Sequence, residues 1–275
     1  MSATELQACL ARLYTSSSLR KLMRLDPDAA LSGYFLTPAE RDTIVAIEGA
    51  KLEWFAASLK AKRRARLERA FPGLFAIGSP ALDTYVERFH EVFPLRPGET
   101  SGDDAERFGA FVEETIADGE QFPAYARDLV RFELTLQELR RSLRAVSVAA
   151  NRDDPATVTI PKRPRRRPGV RVAPFASNVS EIDDALRNGQ PPEPRDERET
   201  LVYLLRDADS EPRIMRVSDP TAVLLDLCDG VRSVDEIVAA VEAHYDQNGL
   251  RPGIEDALLE LTRSSILEEA DAPSA

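Results

Sequence analysis

The sequence predicts a mainly α protein, with an N-terminal multi-helix domain and a C-terminal α+β domain that holds a small antiparallel sheet. First, apolar residues recur at helical spacing through most of the chain. Second, β-rich runs are confined to short stretches after residue 169. Third, a polar, proline-bearing stretch separates the two patterns. For 275 residues we therefore predict a helical domain at 1–148, a basic linker at 149–168 and a second domain at 169–275.

Residues 4–143 predict a continuous set of helices. The clearest start signal is Thr37-Pro38-Ala39-Glu40, which supplies an N-cap, a proline at the first helical position and an acidic first turn. The last helix carries an apolar seam that alternates by four and three residues: Tyr125, Leu129, Phe132, Leu136, Leu139 and Leu143. We interpret the aromatic residues of these stripes as core rather than as a binding surface.

A long helix is predicted at residues 50–70. Leu52, Phe55 and Leu59 are expected on its inward face. Its second half, from residue 60 to 69, is strongly basic.

The junction between the domains is basic and rich in proline. Residues 161–168 hold five basic residues in eight, and we interpret them as a solvated linker. Docking to an acidic surface of a partner, or contact with nucleic acid, remain alternatives. Beyond them, residues 169–174 predict a strand, residues 179–187 a short helix, and residues 190–194 an extended crossover.

The last quarter of the chain reads as two strands followed by three short helices. Residues 200–206 and 213–217 are rich in strand formers and are separated by a polar turn. Ser218 or Asp219 caps the first helix, and a capping box opens the second. Three residues form the apolar stripe of the last helix: Ile254, Leu258 and Leu261. This order is the winged-helix pattern, which binds either nucleic acid or peptide, and residues 264–267 are its wing or the end of its last helix.

The charge of this last quarter favours a peptide over nucleic acid as its ligand. Residues 199–275 hold 17 acidic and 6 basic residues, a net charge of −11, which equals the net charge of the whole chain. Binding to DNA depends on Lys and Arg residues that displace phosphate counterions. A segment with this balance is expected to repel phosphate.

Groups with catalytic potential are sparse. His90 and His244 are the two histidines, and neither has a partner at metal-ligand spacing. Cys9 and Cys228 are interpreted as small core residues in a reducing compartment. Nucleophile, phosphate-loop and dinucleotide motifs are absent from the sequence, as are a signal segment and an apolar run of membrane length. We therefore expect a cytoplasmic protein that binds no cofactor of its own and is not an enzyme by itself.

Residues Val217–Val238 resemble the PqqD-like leader-peptide-binding domain, the recognition element of pathways that make ribosomal peptide natural products. The resemblance implies that the domain binds the leader of a precursor peptide as an extra strand beside its sheet. Main-chain hydrogen bonds then give affinity, and side-chain pockets give register. A winged helix that only packs on a neighbouring domain is the alternative.

The opening segments, 10–15, 19–23, 26–31 and 34–41, are similar to the partner proteins of multinuclear non-haem iron oxidative enzymes. The resemblance implies a heterodimer in which this chain presents the precursor, commonly at a Cys, to iron held by the partner enzyme. The basic half of the long helix is the candidate surface for that enzyme, through Lys60, Arg63, Arg64 and Arg66.

The candidate peptide site combines a sheet edge with the last helix. Its expected residues are Arg213, Ile214, Met215, Arg216, Val217, Ala257, Leu258, Leu261 and Thr262. Some of these residues, Met215 and Leu258 among them, are equally compatible with ordinary core. Two other functions remain open: a transcription regulator whose winged helix binds DNA with the basic linker as an anchor, and a stand-alone enzyme that uses helix carboxylates.

Overall fold

A computed structural model describes residues 3–95, 98–117, 122–145 and 158–270, which form thirteen helices and five strands. The protein is mainly helical and has small antiparallel sheets, as the sequence predicts. The chain divides into two compact units, residues 1–130 and 131–275. The boundary between the units lies inside a helix and before the predicted end of the first domain at residue 148.

In its described residues, the first unit contains helices and no strand. Its helices are α1 (Ala3–Thr15), α2 (Ser17–Leu25), α3 (Pro27–Leu31), α4 (Pro38–Val45), α5 (Gly49–Ala70), α6 (Pro72–Ala76), α7 (Pro80–Val92) and α8 (Ser101–Ala117). Helix α9 (Ala126–Ala145) begins in this unit and continues into the second. The predicted capping box of α4 is confirmed: Thr37 accepts a hydrogen bond from the Glu40 amide, and the Glu40 carboxylate accepts one from the Thr37 amide.

Aromatic side chains fill the core of the first unit. The Phe89 ring lies 5.1 Å from that of Phe108, and the Phe71 ring lies 5.5 Å from Phe108, both edge-on. All three side chains are fully buried. The interpretation of the aromatic stripes as core is confirmed for Phe89 and Phe108, and such edge-on pairs add to the free energy gained by burial.

One expectation for α5 is wrong. Leu52 is buried, but Phe55 and Leu59 remain 48% and 42% exposed. The buried residues of α5 are Leu52, Ala56, Arg63 and Leu67. These four residues define a narrow stripe along the helix. Each residue advances about 100° around a helix, which places Phe55 and Leu59 beside this stripe and not within it.

The second unit is α+β. After the rest of α9 it contains β1 (Pro164–Arg166), β2 (Val170–Phe175), α10 (Val179–Arg187), β3 (Glu199–Leu204), β4 (Arg213–Val217), α11 (Asp219–Leu227), α12 (Val234–Tyr245), α13 (Arg251–Arg263) and β5 (Leu267–Glu269). The predicted bounds of α10 and β4 are confirmed. Ser218 caps α11, and Ser233 forms the predicted capping box of α12 with Glu236.

Strands β2, β3 and β4 form an antiparallel sheet with β3 in the centre. Successive side chains of a strand alternate between faces. Val202 of β3 faces the core built by α11, α12 and α13. Tyr203 points to the opposite face, where its ring lies 5.6 Å from that of Phe132 on α9 and its hydroxyl donates to the Phe132 carbonyl oxygen at 3.3 Å. Helices therefore cover both faces of the sheet within this unit.

The described part of the expected linker belongs to the folded unit. Residues 164–166 form β1, which pairs antiparallel with β5 at the end of the chain. Interpreting residues 158–168 as a solvated linker is therefore wrong, because Pro161 and Pro164 are buried and the strand bonds to β5. Residues 149–157 of the predicted linker lie outside the described residues. Residues 267–269 are strand rather than the end of α13.

Candidate functional site

Strand β4 is an edge strand. It pairs with β3 over Thr200↔Val217 to Leu204↔Arg213, and among the described residues no other strand pairs with it. No backbone hydrogen bond joins residues 213–217 to a described segment outside the sheet. An edge of this kind presents amide and carbonyl groups at which another chain can add a strand.

The two faces of β4 differ. Met215 and Val217 are partly buried against the core that also contains Leu258. The register places Ile214 opposite Tyr203 and Arg216 opposite Leu201, on the other face of the sheet. A strand added at this edge is thus flanked by apolar side chains on the face towards α11–α13.

Helix α13 contributes less to this surface than the sequence indicates. Leu258 is completely buried and Leu261 is 8% exposed, so both belong to the core. Assigning them to the floor of a peptide groove is wrong for the folded state, because a peptide cannot contact them without opening the core. Ala257 and Thr262 are half-buried and remain available, although the Thr262 hydroxyl already donates to the Leu258 carbonyl oxygen at 2.7 Å.

The two arginines of β4 are exposed and have different surroundings. Arg216 forms an ion pair with Glu197, and this guanidinium lowers the pKa of the Glu197 carboxyl. Arg213 forms no ion pair with a described residue. Arg213 is therefore the cation of β4 that is open to an acidic ligand, whereas Arg216 must first leave Glu197.

The folded unit is less acidic than the last quarter of the chain considered alone. Residues 131–275 hold 27 acidic and 20 basic residues, a net charge of −7. The difference arises because β1 and its neighbours bring their arginines into the fold. Arg165 and Arg167 bond to Glu268 at 2.8 and 3.3 Å, and Arg166 lies 3.4 Å from Asp226. These three arginines are occupied within the unit, which weakens the alternative that the segment contacts nucleic acid or an acidic partner.

The cations of α5 that the sequence assigns to a partner surface are mostly engaged within the first unit. Arg63 is buried and donates two hydrogen bonds to Asp104, at 2.9 and 2.6 Å. It cannot reach a partner, so its assignment to that surface is wrong. Lys60 pairs with Glu87, and Arg64 pairs with Asp83 at 2.6 Å. Arg66 is exposed.

Three titratable groups predicted to lie in helices are buried: His90, Cys228 and Cys9. Both ring nitrogens of His90 lack a hydrogen-bond partner among the described residues, and burial, followed by the charge of Arg63, lowers its pKa to about 4. Burial raises the pKa of the Cys228 thiol to about 12, and Cys9 is a buried free thiol as well. Within the described ranges, no group of three or more His, Cys, Asp or Glu residues could hold a metal ion.

Neither protein-family models nor curated proteins match this chain. The fold and the site therefore define a class: a mainly helical protein whose second unit carries a small antiparallel sheet with an open edge at β4. Across the ranges that the structure describes, no helix combines the length and the apolarity needed to cross a bilayer.

Sequence reasoning missed the packing of α9 on the sheet. Phe132 contacts Phe175 and Tyr203, and Arg187 of α10 lies 3.5 Å from Glu133. The apolar seam of α9 predicts a buried helix but carries no information about which unit it packs against. The alternation of Leu201 and Tyr203 with Val202 in β3 was the available signal, because a strand that is apolar on both faces must be covered on both.

Proposed function

We propose that this chain is a non-catalytic recognition subunit for the modification of a ribosomally made peptide. The second unit binds the leader of the precursor as an added strand, and the helical unit binds an iron-dependent oxidase that modifies the peptide, at a Cys in the family it resembles. The single observation that carries the proposal is the open edge of β4.

The element order supports the PqqD-like winged-helix assignment. The antiparallel sheet β2-β3-β4, which has α10 in the connection between β2 and β3, is followed directly by α11, α12 and α13. In β-augmentation the main chain of the ligand bonds to the strand edge, and alternate side chains enter adjacent apolar surface. On β4 that surface is provided by Met215 and Val217, with the half-buried Ala257 in the same cluster.

The mechanism proposed is one of positioning. A leader held on β4 keeps the residue to be modified close to the oxidase, so that its encounter with the iron becomes effectively intramolecular. Catalysis lies in the partner. Incubating the precursor with iron and this chain alone should return unmodified peptide by mass spectrometry, and a modified product would contradict the non-catalytic role.

Paired proline substitutions on β4 test the binding mode. Successive amides of a strand point to opposite edges, so one of Ile214→Pro and Met215→Pro removes a free-edge donor and the other breaks pairing with β3. The free-edge variant should stay folded and bind a labelled precursor peptide about tenfold more weakly or worse. Ile214→Ala and Met215→Ala keep the amides and serve as matched controls.

The probe is a fluorescein-labelled synthetic peptide with the sequence of a precursor identified in the same genome, and binding is followed by fluorescence anisotropy. Circular dichroism reports which proline variant is folded. Wild-type affinity in a folded proline variant that lacks the free-edge donor would rule out strand addition at β4.

Binding to DNA is the competing function, and the net charge of −7 on the second unit opposes it. A gel shift at low salt should retain no duplex. A retained complex that weakens steeply with added salt would instead favour a transcription regulator.

A further inference from the structure

One side of α5, next to its buried stripe, presents an apolar surface that the described residues cover only in part. Trp54 is 67% exposed, and Phe55 and Leu59 are about half exposed beside it. Large exposed aromatic side chains that adjoin one another are typical of interaction surfaces in proteins. We call this surface, together with Lys62, Arg66 and Arg69 of the same helix, the α5 face.

Helical spacing aligns the α5 face into two rows. Phe55, Leu59, Lys62, Arg66 and Arg69 follow one another by four and three residues, so they lie along one side of the helix. Beside them run Trp54, Ser58, Ala61 and Ala65. The face is thus aromatic towards its N-terminal end and cationic towards its C-terminal end. After Trp54, the second row has only small side chains.

Charge separates this face from the rest of α5. Lys60, Arg63 and Arg64 are neutralised by carboxylates of the same unit. Lys62, Arg66 and Arg69 form no ion pair with any described residue and are exposed. The three cations that α5 leaves unneutralised therefore all lie on the side that carries the exposed aromatic residues.

The aromatic end is held in place. The Trp54 ring meets Phe55 edge-on at 5.1 Å, and Phe55 in turn lies 5.8 Å from Tyr14 of α1. A ring supported in this way loses little conformational freedom when a partner covers it. Tryptophan and arginine are also the residues that most often dominate binding energy at interfaces.

We propose that the α5 face docks an acidic amphipathic helix of the partner oxidase. Apolar residues of that helix cover Trp54 and Phe55, and its carboxylates lie against Lys62, Arg66 and Arg69. The small side chains of Ser58, Ala61 and Ala65 allow the two helix axes to approach closely. The inference rests on the proposed function, which supplies the partner, and it names the surface and its chemistry.

The chain contains a single tryptophan, so a fluorine label on tryptophan reports on the surroundings of Trp54 alone. We would label this chain with 5-fluorotryptophan and add an unlabelled multinuclear iron-dependent oxidase from the same genome. The ¹⁹F resonance should shift, and its H₂O-to-D₂O isotope shift should fall as water leaves the ring. A complex that forms on size exclusion without changing this resonance would overturn the inference.

Substitutions separate the two ends of the face. Trp54→Ala should weaken binding of the oxidase about tenfold or more. The double variant Lys62→Glu with Arg66→Glu should weaken it most at low salt, because unlike charges accelerate association there. Leu25→Ala, at a residue 85% exposed, and Lys21→Glu, at an exposed cation of α2, are the matched controls and should bind normally.

The outcomes distinguish this inference from the function on which it rests. If all α5 variants retain the oxidase, the α5 face is not the docking surface and the proposed function stands. If the wild type forms no complex with the oxidase, the proposed function loses its partner and the inference falls with it. Sedimentation that shows a homodimer disrupted by Trp54→Ala would assign the face to a second copy of this chain and overturn the proposal.

Discussion

Single residues in the first unit show why its polar interior is structural. Arg63 and Asp104 are both buried and form a bidentate pair, and the Arg63 guanidinium lies 4.4 Å from the centre of the Phe89 ring. A buried charge is tolerated when its partner satisfies it, and it becomes costly when that partner is removed. The basic sequence around Arg63 suggests a solvated surface, and only the three-dimensional packing shows that this arginine is buried.

Arg63→Met should destabilise the protein by about 3–5 kcal/mol, because it removes the bidentate partner of the buried Asp104 carboxylate and leaves it only the longer contact to Arg107, at 3.4 Å. Adding Asp104→Leu should recover much of that loss. Arg66→Met, at an exposed cation four-fifths of a turn further along the same helix, is the control and should change the free energy of unfolding by less than about 0.5 kcal/mol. Urea denaturation measures all four proteins, and equal losses for Arg63→Met and Arg66→Met would contradict a buried pair.

The free energy of unfolding depends on pH through His90. Its pKa falls from 6.5 when unfolded to about 4 when folded, so the unfolded chain binds the proton first as pH drops. Folding stability is therefore intact above pH 6.5 and is lost through this group as pH falls towards 4, by up to about 3 kcal/mol.

His90→Leu should remove this part of the acid sensitivity. It should leave stability at pH 7 unchanged or raised, since both buried ring nitrogens lack partners among the described residues. Thermal unfolding of both proteins between pH 4 and pH 7 provides the measurement. Parallel pH profiles would show that His90 does not titrate as the structure indicates.

Among the elements, β1 shows how a charged segment can fold. Arg165 of β1 pairs with Glu268 of β5, and the glycine between α11 and α12 makes room for it. Gly230 has a φ of +81°, and a Cβ built there would lie 3.0 Å from the Arg165 Cβ. Only glycine combines this backbone conformation with so close a neighbour.

Two glycine substitutions separate backbone strain from crowding. Gly249 has a φ of +82° but open space around its Cβ position, so Gly249→Ala should cost about 1–2 kcal/mol for the left-handed conformation alone. Gly230→Ala should cost more and should speed hydrogen exchange in β1 and β5. Equal losses in chemical denaturation would mean that Gly230 is not a packing constraint on the β1–β5 pair.

Local signals made several elements predictable. The caps at Thr37 and Ser233, and the bounds of β4, depend on residues that are adjacent in sequence. The β1–β5 pair joins residues about a hundred positions apart, such as Arg165 and Glu268, and proline and arginine obscure the strand pattern. Burial of Leu258 and Leu261 was not predictable either, because a helical stripe is apolar whether it faces core or ligand.

At the scale of the whole molecule, two compact units carry two different kinds of exposed surface. The second unit presents a main-chain edge at β4, and the first presents the side chains of the α5 face. A main-chain edge suits an extended peptide, and a row of side chains suits a folded partner. This division is what the proposed role, bringing a peptide to an enzyme, requires.

The most direct test of strand addition is amide hydrogen exchange of the ¹⁵N-labelled full chain, with and without the unlabelled precursor peptide. Addition of a strand should slow exchange of the free-edge amides within residues 213–217 by at least about tenfold, with interstrand NOEs from the peptide to β4. The outer edge of β2 should be unaffected. A bound peptide that protects other residues while the amides of β4 exchange as in the free protein would contradict the account.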